Sequence, residues 1–461
     1  MTMPGGGNLF STILRIRRAG GLLGYLEQQW AIHGDLFALE LGLFNAVVVI
    51  HPDMVRQITV THRERYSKLS SYEVVRRYLL GNGLVTSVGD NWKRQRRTVA
   101  PFFTPRAVGE FAEMMLSVVS EALEPWAAIA AEGSTIDATD ETVRVAGDIM
   151  LEAIFSESND TVTSQVQGDV ETMLDFSSAR QRVLVRTPLW WPGRATRRYV
   201  AARDRVRAYV RELIARRRAT PADTWPPDLL SQLIETTDDE PQAFDEGYLF
   251  DQAMTFFVAG YETTARTMGL LLYSISQHPE VEARLTAEID RVTGGGPVTA
   301  DHLRALTYAT QVIKESLRLY GATAFYPRDV VEDDVLGGYP VRAGQKIMLA
   351  PYLTHRHPEF WDAPGVFDPD RFGPEREKAM HPQQWAPFSA GERVCVGNSF
   401  AMMEMLVLLA KIYSAYRPRL VPGHDPKIAA PSLIAATNGL PMTLLPRADA
   451  AADGHSRVTG C

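Results

Sequence analysis

Apolar and polar residues change rhythm several times along this chain. Residues 35–41 and 46–50 alternate with a period near two and predict a hairpin of short strands. From about residue 52 to 320 helical spacing dominates, broken at Pro101, Pro105, Pro192 and between Pro221 and Pro227. Within it, residues 244–277 predict one long apolar helix that stops before Pro279, and residues 301–320 predict another. After Gly321 the texture changes. Strand-like runs at 330–335 and 346–350 sit among Gly and Pro, and a loop rich in Pro, Asp and Arg fills 355–387. Residues 400–415 return to a helical pattern, and turn-separated short strands cover about 427–446. The expected fold class is mainly α with a minor β portion (α+β). With no linker or internal repeat, residues 1–446 are expected to form one domain, and 447–461 read as a disordered tail.

Composition narrows the function classes. The 461 residues are 45% hydrophobic and 22% charged, which supports a large core and an ordinary surface. A net charge of −7 argues against a nucleic-acid-binding protein. By inspection no run reaches the roughly 18 apolar residues of a membrane span, so no transmembrane anchor is expected. Residues 1–30 are interrupted by Gly5, Gly6, Gly7, Gly20, Gly21, Arg15, Arg17 and Arg18 and lack the apolar centre of a signal peptide. Residues 9–26 are expected to pack on the body of the protein rather than lie on a membrane. Scarce cysteine fits a reducing compartment, and a cytoplasmic location is expected.

Only two cysteines occur, and one of them, Cys461, ends the polar tail. The other stands in Phe388-Ser389-Ala390-Gly391-Glu392-Arg393-Val394-Cys395-Val396-Gly397. Gly391 and Gly397 allow the backbone to turn closely around a bulky ligand. Arg393 supplies a fixed cation suited to a carboxylate or phosphate. A helical pattern follows, so a thiolate here would gain from the helix dipole and backbone N–H groups. Cys395 is either a quiet core residue or a single chemical centre, and its neighbours favour the second. On the long helix, Ala259-Gly260-Tyr261-Glu262-Thr263-Thr264 sets a carboxylate beside a hydroxyl. That is either an incidental polar notch or a working one, since Thr competes for backbone bonds in mid-helix. Glu315-Ser316-Leu317-Arg318 places opposite charges on one helix face, which in isolation is an ordinary solvated pair.

Together these segments resemble the cytochrome P450 family of haem-thiolate monooxygenases. Residues 388–397 agree with the family pattern Phe-x-x-Gly-x-Arg-x-Cys-x-Gly at every fixed position. The resemblance runs from the strands near residue 35 to those near 445, with motifs in the family's order. It implies the cytochrome P450 fold, with haem b between the long distal helix and the Cys395 loop. Cys395 is the implied iron ligand, where a thiolate pushes electron density toward dioxygen cleavage. Phe388, Gly391, Arg393 and Gly397 are implied to shape the cofactor loop. Ala259 and Gly260 would leave room on the distal face, and Glu262 with Thr263 would deliver protons. Trp92 and Arg96 fit the family's Trp-x-x-x-Arg, and Arg328, Arg393 and His355 are further implied partners of the cofactor's propionates. Glu315, Arg318 and Arg371 (of Pro369-Asp370-Arg371-Phe372) are implied to form a buried network bracing the loop before the cysteine.

The implied reaction inserts one atom of dioxygen into a lipophilic small molecule, in secondary metabolism. No Gly-rich dinucleotide fingerprint follows a strand, so electrons are expected from a separate ferredoxin or flavodoxin-type donor with its reductase. Lys93, Arg94 and Arg97 read equally as a solvated helix face or a docking patch for such an acidic partner. Pocket candidates are Phe256, Ala259, Phe325, Tyr326 and Ile434, with Phe257, Leu184, Trp190 and Trp191. They are apolar, as is the default core of a helical protein, and they name no substrate. Two rivals remain: a peroxygenase or haem-thiolate isomerase on the same fold, against which Glu262 and Thr263 argue, and a non-enzymatic haem sensor.

Overall fold

A computed structural model describes residues 3–447 except 6–8, 42–43, 157–159, 183–187, 191–192 and 240–245. The helical body is organised on one helix, Glu246–Ser276, whose 31 residues extend about 46 Å at 1.5 Å per residue. It is apolar on nearly every face, from Leu249 to Ile275, so it must be covered all round. Helices Ala138–Phe155, Thr307–Tyr320 and Asn398–Ala415 pack against it. Gly260 makes the first of these contacts close. A Cβ there would lie 2.4–2.7 Å from Cε and Sδ of Met150 on helix Ala138–Phe155. The glycine is thus required first by the neighbouring helix.

The β portion is a five-stranded sheet, with strands Leu36–Leu41, Phe44–Val49, Lys346–Leu349, Tyr326–Val330 and Tyr66–Ser67 in spatial order. The first two form the expected hairpin, with Phe37 opposite Val48. Alternation puts Val47 and Val49 in one apolar cluster and Val48 with Phe37 in another, one on each face. A second sheet joins Thr135–Asp137, Pro441–Pro446 and Tyr416–Leu420.

Several boundaries differ from the sequence expectation. The 330–335 strand is two strands, Tyr326–Val330 and Asp334–Leu336, separated by a bend at Glu332. The 301–320 helix is two, Ala300–Leu303 and Thr307–Tyr320, because Glu288 caps the second with its carboxylate on the Tyr308 and Ala309 N–H groups (both 2.8 Å). The predicted start of the long helix at 244 and the break at Pro192 lie outside the described residues. Among the described residues, Ala112–Glu132 is long and apolar enough to cross a membrane by length and composition alone. A turn at Glu124 and Pro125 divides it into helices Ala112–Leu123 and Trp126–Glu132, and the first packs on Asn398–Ala415. Arg447, assigned above to the tail, belongs to the body. Its N–H donates to the Ala415 carbonyl (2.9 Å), and its guanidinium reaches the Tyr413 carbonyl (2.9 Å) and Asp290 (2.6 Å). The rest of the tail lies outside the described residues.

Candidate active site

A cavity of about 320 Å³ lies between helix Glu246–Ser276 and the segment that leads into helix Asn398–Ala415. Cys395 opens onto it as a free thiol. The loop is folded back on itself: the Cys395 N–H donates to the Phe388 carbonyl (2.9 Å), and Gly397 forms the N-cap of the helix. Ser389 holds a φ of 66°, uncommon for a residue with a side chain, and Gly391 one of 70°. Gly391 does not touch the cavity. A Cβ there would fall 1.9 Å from the Thr59 carbonyl oxygen, so this glycine serves the packing of the loop on residues 57–61 rather than a ligand. Burial pushes the Cys395 thiol above its ordinary range, while the Gly397 N–H, Arg96 and Lys68 pull it down.

Four cations line the same cavity: Lys68, Arg96, Arg328 and Arg393. The three arginines are steered by neutral partners. Arg96 donates to the Val394 carbonyl (2.8 Å), Arg328 to Pro327 (2.9 Å), and Arg393 to Ser87 (3.0 Å). Arg393 also stacks 3.7 Å from the Trp92 ring, and Lys68 lies 4.4 Å from that of Tyr72. None of the four has a carboxylate within ion-pair distance among the described residues. Burial, with Arg328 and Arg96 adding repulsion against the help of Glu392, holds Arg393 down at about 10. Burial lowers Lys68 as well, with Arg328 and Arg393 adding to the effect. Cations crowded together without anions fit a ligand that brings at least two carboxylates.

Across the cavity, Ala259, Gly260, Thr263, Thr264 and Thr267 form its helical wall. The Thr263 hydroxyl donates to the Ala259 carbonyl (2.7 Å), and Thr267 to Thr263 (3.0 Å), a local back-bonding that occupies helix carbonyls. Glu262 does not line the cavity. It faces Arg266 one turn on, at 3.7 Å, with Glu171 and Asp175 of helix Asp160–Arg182 nearby. Burial raises its pKa, the nearby carboxylates add to this, and Arg266 opposes it. Glu262 and Thr263 thus stand on different faces of one helix, one toward the carboxylate cluster and one toward the cavity.

Beneath the loop, Glu315 and Arg318 are fully buried and paired through two bonds of 2.7 and 2.8 Å. Arg318 also donates to the carbonyls of His355, Pro364 and Val366 (2.7–2.9 Å). Arg371 approaches Glu315 at 3.4 Å and donates to Ala363 (3.1 Å). The three residues meet in one buried cluster. His355 is a correction: it is buried away from the cavity and belongs to this brace. Its Nδ1 lies 3.1 Å from the Arg318 carbonyl, and its Nε2 accepts from the Ala386 N–H at 3.0 Å, two residues before Phe388. Those partners fix the proton on Nδ1.

Of the expected pocket residues, Phe256, Ala259 and Tyr326 line the cavity; Phe325 and Ile434 pack in the core beside it, as does Phe257. Trp190 is 77% exposed, and Leu184 and Trp191 lie outside the described residues. The sequence did not single out Lys68, Tyr72, Phe103 or Met150, all of which line the cavity. A lone Lys in a loop carries no spacing signal.

The fold and the cysteine-centred cavity define a cytochrome P450. The Cytochrome P450 family model matches residues 3–443, and the chain belongs to that family. Its reaction class is monooxygenation, with a cysteine-ligated haem and dioxygen as the family's means. The chain is 33% identical, over 85% of its length and 84% of the relative, to cyclooctat-9-en-7-ol 5-monooxygenase of Streptomyces melanosporofaciens. It is 31% identical, over 85% and 86%, to pentalenene oxygenase of Streptomyces avermitilis. The crystal structure of the cytochrome P450DA heme domain superposes with a TM-score of 0.85 at 26% identity, covering 92% of each chain.

Proposed function

We propose that this protein binds haem b through Cys395 and oxidises a cyclic terpene-class compound, by hydroxylation or a closely related step, in the cytoplasm. The observation that carries this reading is the free Cys395 thiol facing a cavity rimmed by four cations that have no carboxylate within ion-pair distance among the described residues. Haem, when bound, supplies the reduction and cleavage of dioxygen. Arg96, Arg328, Arg393 and Lys68 hold its two propionates and neutralise them. Ala259 and Gly260 leave the distal face open, while Leu84, Val85, Phe256 and Ala322 make the walls apolar and exclude water. Thr263 holds a proton at the cavity wall, and Glu262 exchanges protons with the carboxylates behind the helix. The relatives named cyclooctat-9-en-7-ol 5-monooxygenase and pentalenene oxygenase support a cyclic terpene as the substrate class.

Electrons reach this site from a separate ferredoxin or flavodoxin-type donor with its reductase. Lys93, Arg94 and Arg97 support the docking reading, because all three are exposed on helix Gly89–Val99, whose other face carries Trp92 and Arg96 into the cavity. The test is the ferrous–CO absorption spectrum of wild type and Cys395→Ser. A thiolate-type Soret band in the wild type, lost in the variant, is expected; a histidine-type band in the wild type overturns the reading. Titration with cyclic terpene hydrocarbons and terpene alcohols should shift the ferric spin state. Turnover with peroxide but not with reduced ferredoxin would favour the peroxygenase alternative.

A further inference from the structure

Part of the cavity rim is carried by a turn outside the regular elements. Lys68-Leu69-Ser70-Ser71-Tyr72 leaves the sheet where strand Tyr66–Ser67 ends, with Ser67 opposite Asp329 of strand Tyr326–Val330. The turn closes through the Tyr72 N–H on the Lys68 carbonyl (3.1 Å). Its two ends, Lys68 and Tyr72, line the cavity, while Leu69 between them is exposed. Its middle is held from the sheet. Ser70 and Ser71 donate both N–H groups to Oδ2 of Asp329 (2.9 and 3.2 Å) and both hydroxyls to its Oδ1 (2.7 Å each). Lys346, opposite Asp329 on strand Lys346–Leu349, adds its ammonium to Oδ1 at 2.9 Å and also reaches the two serine hydroxyls (2.9 and 3.1 Å).

Asp329 has no part in the chemistry above. Alternation along its strand sends Tyr326 and Arg328 to the cavity and Asp329 to the other face. Its carboxylate satisfies two turn N–H groups that lie beyond the end of the strand ladder. An ionised carboxylate, which only accepts, suits this set of donors. We propose that Asp329 is a positioning residue: by gathering Ser70, Ser71 and Lys346, it fixes the turn that presents Lys68 and Tyr72 to the cavity beside Arg328. The Lys68 ammonium is then kept near the Tyr72 ring, 4.4 Å from its centre, and among the rim cations. One strand thus sets two of those cations, Arg328 directly and Lys68 through the neighbouring carboxylate. The effect on haem retention rests on the haem-thiolate reading; the pinning of the turn stands without it.

The test is trypsin cleavage after Lys68 in the haem-loaded full chain, read by mass spectrometry as a ratio to cleavage after Lys93. Ser70→Ala with Ser71→Ala keeps the Asp329–Lys346 pair and should raise that ratio about tenfold, since two hydrogen bonds of the pin are lost and cleavage follows local opening. Ser70→Thr with Ser71→Thr keeps both hydroxyls and should hold the wild-type ratio. Asp329→Asn should raise the ratio as well and speed haem transfer to apomyoglobin severalfold. In a Lys68→Met, Tyr72→Phe background, Asp329→Asn should speed transfer no further, because its effect runs through those two side chains. An unchanged cleavage ratio, or a transfer effect that persists in that background, overturns the proposal. Because cleavage is read without spectra or turnover, that failure would leave the haem-thiolate reading standing; failure of that reading would show in the ferrous–CO spectrum instead.

Discussion

Lys68 shows how much a single side chain can matter without announcing itself. It is the one amine among three guanidiniums at the cavity rim, and burial beside Arg328 and Arg393 lowers its proton affinity. An incoming carboxylate should reverse that trend and be bound tightly in return. Lys68→Met is therefore expected to weaken haem retention by about 1.5–3 kcal/mol, the usual worth of a charge-assisted hydrogen bond. Transfer of haem to apomyoglobin measures it, and an unchanged transfer rate would remove Lys68 from the site. At this scale the sequence was informative wherever spacing carried a signal. Cys395, Arg393, Arg96 and Trp92 were legible from their fixed intervals, and all four line the cavity. Lys68 and Tyr72 were not, because they come from a loop with no periodicity. Gly391 was singled out for the wrong contact, since nothing in the sequence says that the Thr59 carbonyl lies beneath it.

Among elements, the brace under the loop has the clearest energetic consequence. Removing Glu315 would leave Arg318 and Arg371 buried without their shared anion, at a cost of about 3–5 kcal/mol. Glu315→Ala should yield protein that purifies without haem; normal occupancy would contradict this. His355 adds a pH dependence to the same brace. Its pKa falls to about 3 because it is buried, with Arg318 and Arg356 adding repulsion. An unfolded chain takes up this proton near pH 6.5, and the folded one only near 3. Stability from this group is complete above about pH 6.5 and declines as pH falls toward 3, by about 1.4 kcal/mol per unit. Urea midpoints between pH 7 and 4 should show that decline, and His355→Gln should flatten it. The Glu-x-x-Arg helix was visible in the sequence as a charge pair; its burial was not, because burial depends on loops forty and fifty residues away in the chain.

For the whole molecule, charge distribution sets the encounter with a donor. The net charge is −7, so an acidic partner is repelled on average and must be drawn to a local basic face. Charge reversal at Lys93 and Arg97 should slow reduction by an acidic ferredoxin severalfold at low ionic strength. The difference should vanish at high salt, where such steering is screened; a salt-independent effect would point to damage within the site. The overall architecture was readable from the change of rhythm after Gly321 and from the long apolar helix. Division of the 301–320 helix was not, since it comes from the Glu288 carboxylate capping Tyr308 and Ala309 across a tertiary contact. Inclusion of Arg447 in the body was hidden for the same kind of reason: its partners Tyr413 and Asp290 are remote in sequence.

Trp92 lies against Arg393 at the cavity wall, 3.7 Å from its guanidinium. An indole held there is a built-in optical gauge. Its ultraviolet emission should be quenched by energy transfer when a porphyrin fills the cavity and should return when the porphyrin leaves. Trp92→Phe should remove the component that responds most strongly, so loading and loss of the pigment could be followed in real time without any label.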